Sequence, residues 1–361
     1  MQDKLVVSLS CNPMAHGHGG QRRSLQILQI LQQIQKDVTS VPIKINHDKG
    51  IIGKCTRYLR GWNRSRRIFG FPRWSASNNW CGAHELPIDG QTPGIWVIEN
   101  TQWPNAIIEA KNHGWRVIAI PQNLESLNRA REQGLSPEKS ARKFADEVAA
   151  LAQADAIFCI CREEQYLLNC VGIKSGYLPY FPPNETIVSL ESVRQCRNIV
   201  PKQFLLMLVN VHNAANRNGV ISFFSSINDN VLLDLPPIVL AGFGTEMLAA
   251  KLDPGKVRVV GTLDDSSTKD YQSRAIAILV HQEYGTGCLT KICDFLIAGI
   301  PVLANELAAR SYYDAHGLYV YKDIYDIVKI IKNGLIVPSG MFNYQCYNNK
   351  LLETVELVGG K

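Results

Sequence analysis

Leu279-Val280-His281-Gln282-Glu283-Tyr284-Gly285-Thr286-Gly287-Cys288-Leu289-Thr290-Lys291-Ile292-Cys293-Asp294 is the stretch from which the fold is read. An apolar strand ends near Val280, and a Gly-x-Gly turn then opens a helix. Backbone N–H groups at a helix N-terminus attract anions, and glycines let a phosphate come close. Lys291 lies about one turn into that helix, so its ammonium can reach the same phosphate. Asp294 follows three residues later on the same face, where a carboxylate suits ribose hydroxyls. Judged on this pattern alone, a capped helix with a solvated Lys291 fits as well.

The same strand–loop–helix unit recurs in both directions. Strands are predicted over 4–9, 41–45, 95–99, 116–120, 156–160 and 175–178. A second set covers 204–209, 237–241, 257–260, 276–280, 301–303 and 317–320. Helices are predicted after the first strand, with Leu25, Leu28, Leu31 and Ile34 on one stripe, and over 137–152, 162–170, 217–227, 245–252, 289–298, 322–333 and 347–358. This rhythm predicts parallel sheets covered by helices on both faces. It pauses at Pro182-Pro183, where the polar stretch 184–202 reads as a linker. The expected fold class is therefore α/β, with two Rossmann-like, doubly wound domains facing across a cleft. The expected boundaries are 1–183, a linker 184–202, a second domain 203–335 and a terminal tail or helix 336–361.

In such sheets ligands bind at the carboxyl ends of the strands. Each loop there is a candidate, and each has an ordinary turn as its alternative. Gly17-His18-Gly19-Gly20 follows the first strand but is neither a complete dinucleotide fingerprint nor a P-loop. Asn216-Arg217-Asn218-Gly219 follows the strand at 204–209, and Arg217 could clamp a phosphate. Gly242 and Gly244 could wall a nucleotide base. Gln122, Asn123 and Glu125 follow another strand end, where amides and carboxylates suit sugar hydroxyls.

The 361 residues carry a formal net charge of +6, and the excess is N-terminal. Residues 1–100 hold 13 Lys and Arg against 6 Asp and Glu, while the remainder holds 25 against 26. The basic core runs from Lys54 to Trp74 and includes Arg60, Trp62, Arg64, Arg66 and Arg67. Interleaved Arg and aromatic residues fit an anionic membrane surface or a lipid-linked acceptor, with a solvated loop that has no partner as the alternative. Nucleic acid is not expected as a partner, because the whole-chain balance is small and no nucleic-acid module is recognisable. No C-x-x-C pair and no Cys/His cluster with zinc spacing occurs among the ten cysteines. A metal is not expected, and the thiols read as reduced. The N-terminus lacks the pattern of a signal peptide, and no apolar run approaches the ~20 residues of a spanning helix. The expected location is the cytoplasm, with peripheral attachment at the inner face of the membrane.

Taken in order, these loops resemble those of the GT-B glycosyltransferases, in particular the family 4-like enzymes that build bacterial polysaccharides. The resemblance covers about residues 4–335. It is carried by Gly19-Gly20 with Arg23, by Gln122-Asn123-Leu124-Glu125-Ser126, and by Ala154-Asp155-Ala156-Ile157 through Cys161-Arg162-Glu163-Glu164. Asn216-Arg217-Asn218-Gly219 and the core Gly285-Thr286-Gly287, Lys291, Asp294, Ala298-Gly299 and Pro301-Val302 complete it. Gln122 stands where the family usually has His, Asp294 where it usually has Glu, and Cys161 where it usually has Ser. The family's second Glu, eight positions before Asp294, is here Thr286.

The resemblance implies a transferase moving a sugar from a UDP- or GDP-linked donor to a hydroxyl of a glycan or lipid-linked acceptor. It implies retention of configuration and no metal or other cofactor. The candidate catalytic residues are Lys291, Arg217 and Glu283. The candidate donor-binding residues are Gly19, Gly20, Asn216, Gly242, Gly244, Gly285, Thr286, Gly287, Cys288 and Asp294. Gln122, Asn123, Glu125 and His84 are candidates for the sugar or acceptor. An inverting enzyme would need a base, for which Glu99, His84 and Glu125 are the places to look. Two other classes share the fold: a sugar-nucleotide isomerase or hydrolase, and an inactive binding subunit.

Overall fold

Short apolar runs buried on both faces are the signature of parallel strands, and they dominate both halves of this chain. A computed structural model describes residues 4–42, 44–45, 84–85, 92–99, 101, 105–127, 134–340 and 343–360. Its strands are β1 (Leu5–Ser8), β2 (Thr39–Ser40), β3 (Lys44–Ile45), β4 (His84–Glu85), β5 (Ile95–Ile98), β6 (Arg116–Ala119), β7 (Ala156–Cys159) and β8 (Gly176–Tyr177). They continue with β9 (Phe204–Leu208), β10 (Ile238–Ala241), β11 (Arg258–Gly261), β12 (Ala275–Val280), β13 (Val302–Asn305) and β14 (Leu318–Tyr321). Two compact units result: Met1–Pro179 with Tyr344–Lys361, and Tyr180–Asn343.

The first unit holds a parallel sheet in the order β2-β1-β5-β6-β7-β8. Alternation along its strands divides the core in two. Val6, Trp96, Ile98, Val117 and Ala119 pack on one face with Ile107, Leu151 and Leu168. Leu5, Val7, Ile95, Val97 and Ile118 pack on the other with Ile27, Ile30 and Leu31. The terminal helix Gln345–Val358 returns to that second face through Leu351 and Val355. Residues expected as a C-terminal tail or helix thus complete the first unit's core.

The second unit holds a parallel sheet in the order β11-β10-β9-β12-β13-β14. Its core gathers Leu205, Met207, Leu240, Ala277, Leu279 and Leu303 with Phe223 and Phe224 of the helix Ala214–Ser226. Strand order reverses between β9 and β12, and a doubly wound sheet binds its ligand at such a switch point.

Three expectations need correction. The strand expected over 41–45 is not found as such: β2, just before that range, pairs with β1, and β3, within it, pairs antiparallel with β4. The first helix, Gly19–Leu31, buries Leu31 of the expected stripe, with Leu28 and Ile34 partly buried against the same core, but it also buries Arg23, Ile27 and Ile30, which the stripe left out. Arg23 tolerates the interior because it donates to the carbonyls of Leu178 (2.8 Å) and Pro179 (3.0 Å) and to Gln26 Oε1 (2.8 Å).

The linker 184–202 is largely the helix Asn184–Arg197, packed within the second unit. It reads as polar because its arginines serve the interior. Arg194 donates to the carbonyls of Ile297 (2.8 Å), Leu296 (3.0 Å) and Pro338 (2.9 Å). Arg197 donates to Gly299 (3.0 Å) and Ala275 (2.7 Å), and burial pushes its pKa down to about 10. Leu296 and Ile297 close the helix Thr290–Ile297, so these cations satisfy carbonyls that a helix leaves open at its C-terminus.

Candidate functional site

The loops after β9 and β12 lie side by side at the second unit's switch point, because the two strands pair directly, Leu206 with Ile278. The helix after β9 starts at an Asn213 cap, whose side chain accepts from the Asn216 N–H at 3.1 Å. Asn216 Nδ2 donates to the Asn210 carbonyl at 3.1 Å, and Arg217 Nη1 to the Val211 carbonyl at 3.1 Å. No carboxylate among the described residues pairs with Arg217.

The loop after β12 is fixed from behind. Asn305, at the end of β13, accepts from the Gln282 N–H (3.0 Å) and donates to the Gln282 carbonyl (2.8 Å). Arg310 donates to the carbonyls of Gly287 (2.6 Å), Thr286 (2.9 Å) and Leu307, and to Gln282 Oε1 (2.9 Å). Gly285 (φ 148°) and Gly287 (φ 65°) occupy conformations that favour glycine. Cys288 accepts a long contact of 3.7 Å from the Tyr312 hydroxyl.

Lys291 sits in the first turn of the helix Thr290–Ile297. It makes no hydrogen bond or ion pair with any described residue. Its side chain is partly accessible while the ammonium lies deeper, and burial pushes the pKa from 10.5 down to about 8. An ammonium so placed at a helix N-terminus calls for an anion.

Glu283 is partly exposed and held in place. Ser222 Oγ donates to Oε1 at 2.6 Å, and His281 Nε2 lies 3.0 Å from the same oxygen. The other ring nitrogen of His281 is 2.9 Å from the Tyr321 hydroxyl. Asp294 is buried within the unit and accepts from the Tyr180 hydroxyl at 3.2 Å.

Gly242 (φ 115°) and Gly244 (φ 80°) follow β10 beside the β9 loop. A Cβ at Gly242 would stand 2.2 Å from the Val209 carbonyl oxygen. Phe243 between them is exposed and lies tilted against His212, with ring centroids 4.7 Å apart.

The remaining candidates lie in the first unit. Gly19 and Gly20 begin its first helix, and Gln122 Nε2 donates both to the Gly20 carbonyl (3.3 Å) and to Glu99 Oε1 (2.7 Å). Glu99 also accepts from Ser24 Oγ (2.6 Å) and the Ser10 N–H (2.9 Å), and burial raises its pKa. With no exposed surface it cannot meet an acceptor, which removes it from the candidate bases. Arg23, which carries part of the resemblance at the first loop, is the buried clamp described above. Asn123 Nδ2 contacts Glu125 Oε1 at 3.3 Å. Two buried carboxylates shape that turn. Glu164 accepts from the Leu124 N–H, and Glu147, its pKa raised by burial to about 7, accepts from those of Glu125 and Ser126. His84 lies on β4, and its side chain is outside the described residues, as are Arg60, Trp62, Arg64, Arg66 and Arg67. No helix among the described residues is long and apolar enough to cross a membrane.

No protein-family model matches the chain, and no curated protein matches it. Solved structures do. Sucrose-phosphate synthase from Thermosynechococcus elongatus superposes with a TM-score of 0.58 at 11% identity, covering 99% of this chain and 95% of that one. A UDP-forming α,α-trehalose-phosphate synthase from Burkholderia xenovorans gives 0.59 at 10%, covering 99% of each. HepE of Anabaena, in complex with UDP and glucose, gives 0.57 at 10%, covering 98% and 100%. The chain has the GT-B fold. Within its second unit the loops after β9, β10 and β12 meet at one switch point, whereas the described first-unit candidates Gly20, Gln122, Asn123 and Glu125 lie beside Glu99 and Glu147.

Sequence reading missed Arg310, Asn305, Ser222 and His281. Asn305 carried a readable signal as an amide at a strand's carboxyl end. Arg310 carried none, because a lone arginine after a short apolar helix looks like surface.

Proposed function

We propose that this GT-B protein is a glycosyltransferase that transfers a sugar from a nucleotide-sugar to a hydroxyl of a glycan or lipid-linked acceptor. The observation that carries the reading is Lys291, a partly accessible side chain whose ammonium lies deeper and has no protein partner among the described residues, behind a Gly-x-Gly turn at the switch point. The leaving group of such a reaction is a nucleoside diphosphate, which gains negative charge as the bond from sugar C1 to phosphate oxygen breaks. Cations and N–H donors fixed in advance stabilise that charge. Lys291, Arg217 and the Gly285–Cys288 backbone fill this role. The mechanism therefore calls on no metal.

Phe243, with Gly242 and Gly244, offers a face for the base. Glu283, steadied by Ser222 and His281, is our candidate to accept hydrogen bonds from sugar hydroxyls. We assign the acceptor to the first unit, with Gln122, Asn123 and Glu125 at its strand ends. Retention needs no dedicated base, because the departing diphosphate takes the acceptor proton on the face where it leaves. UDP is the favoured nucleotide, since two of the proteins of like fold are described with it. We further propose a role in polysaccharide assembly, at an anionic membrane surface met by the Lys54–Trp74 stretch.

The test is incubation with UDP-, GDP- and dTDP-sugars, with and without acceptor glycans. Donor consumption that requires an acceptor supports the transferase. Consumption without one favours a hydrolase or isomerase, and none with any donor favours a binding subunit.

A further inference from the structure

We infer that Arg310 is a positioning residue for a diphosphate held by the Gly285–Cys288 loop, an inference that rests on the nucleotide reading of that loop. Arg310 is buried, and no carboxylate among the described residues pairs with it. Each of its bonds goes to a neutral oxygen, of Gly287, Thr286, Leu307 or the Gln282 amide. A buried guanidinium without a counter-ion is costly to keep, so its charge needs a purpose or a ligand.

The geometry gives it two effects. A trans peptide directs its N–H opposite to its carbonyl. Drawing the Thr286 and Gly287 carbonyls to one side therefore turns the Gly287 and Cys288 N–H groups to the other. The guanidinium also stands directly behind those dipoles and adds its charge to theirs. An anion across the loop would supply the absent counter-charge.

The backbone is strained where this side chain is delivered. Ser311, the residue after Arg310, has φ 68°, and it is the only non-glycine residue with positive φ among the described residues. Such strain persists where surrounding structure enforces it. Gly285 leaves the room that the arrangement needs: a Cβ there would lie 3.0 Å from Arg310 Nη2 and 3.2 Å from Gln282 Oε1. Lysine cannot substitute, because a single ammonium cannot hold four acceptors in one plane.

The experiment compares the full chain with Arg310→Gln and Arg310→Lys. Calorimetry follows UDP, GDP and inorganic pyrophosphate, and ligand-observed NMR follows uridine and guanosine. In Arg310→Gln the diphosphates should bind roughly 10- to 100-fold more weakly, the span of one charge-assisted contact. The nucleosides should stay within about twofold. If Arg310→Gln fails to fold by circular dichroism, Arg310→Lys must show the same selective loss. Unchanged diphosphate binding would overturn the inference, and so would equal loss of nucleoside and diphosphate, which marks a purely structural residue. A wild-type chain that binds pyrophosphate but neither nucleotide overturns the nucleotide reading and leaves the anion site standing. One that binds none of these overturns both.

Discussion

Gly219 lies so close to His281 that a Cβ on it would stand 2.3 Å from the His281 carbonyl oxygen. This single approach lets the helix Ala214–Ser226 settle against the loop after β12, and with it brings Ser222 to Glu283. Glycine is required here for closeness rather than for an unusual backbone angle. Gly219→Ala should lower stability by about 1–3 kcal/mol, the usual cost of overpacking, and should weaken donor binding because the two loops are forced apart. Urea unfolding of the variant beside wild type checks this.

Lys291 gives a pH dependence with a definite sign. Its folded pKa, about 8, lies below the ordinary 10.5, so between these values the unfolded chain holds a proton that the folded chain has released. Stability contributed by this residue is therefore lowest below pH 8 and rises as pH climbs from about 8 to 10.5. Nucleoside diphosphate binding should run the other way, weakening above pH 8 as the free protein loses the cation. Lys291→Arg should flatten that fall, which titrations between pH 7 and 9.5 would reveal.

Glu99 organises the first unit's strand ends by accepting from Ser10, Ser24 and Gln122. Glu99→Ala leaves three donors without their acceptor. A loss of at least about 2 kcal/mol is expected, given roughly 1–3 kcal/mol for each buried group left unsatisfied. Thermal unfolding should show it, whereas a variant as stable as wild type would mean that water replaces the carboxylate.

The basic aromatic stretch from Lys54 to Trp74 lies outside the described residues, and the role proposed for it rests on composition. Each Lys or Arg near an anionic leaflet contributes ~1 kcal/mol. Co-sedimentation with liposomes should require anionic lipid and weaken at high salt. It should be lost when Arg60, Arg64, Arg66 and Arg67 become Ser. Indifference of the wild-type protein to anionic liposomes at low salt would point to a soluble acceptor.

Most of the strands were legible because a buried parallel strand is an uninterrupted apolar run; Phe204–Leu208 and Ala275–Val280 could hardly be anything else. The Gly285–Cys288 turn was legible for its glycines, whose conformations few other residues adopt. What escaped was polar residues working inside. Arg194 and Arg197 made a packed helix look like a linker, because their carbonyl partners lie some hundred residues away. Arg23 belonged to the interior for the same reason, and Arg310 behind the loop likewise. Asp294 was singled out by its spacing, but nothing in the sequence pairs it with Tyr180.

Calorimetric titration of wild type and Lys291→Ala with UDP and GDP tests the central claim most directly. Wild type should bind one of the two, and Lys291→Ala should bind it roughly 10- to 100-fold more weakly while remaining folded. Equal affinity in the two proteins, or no binding of either nucleotide by wild type, would contradict the account.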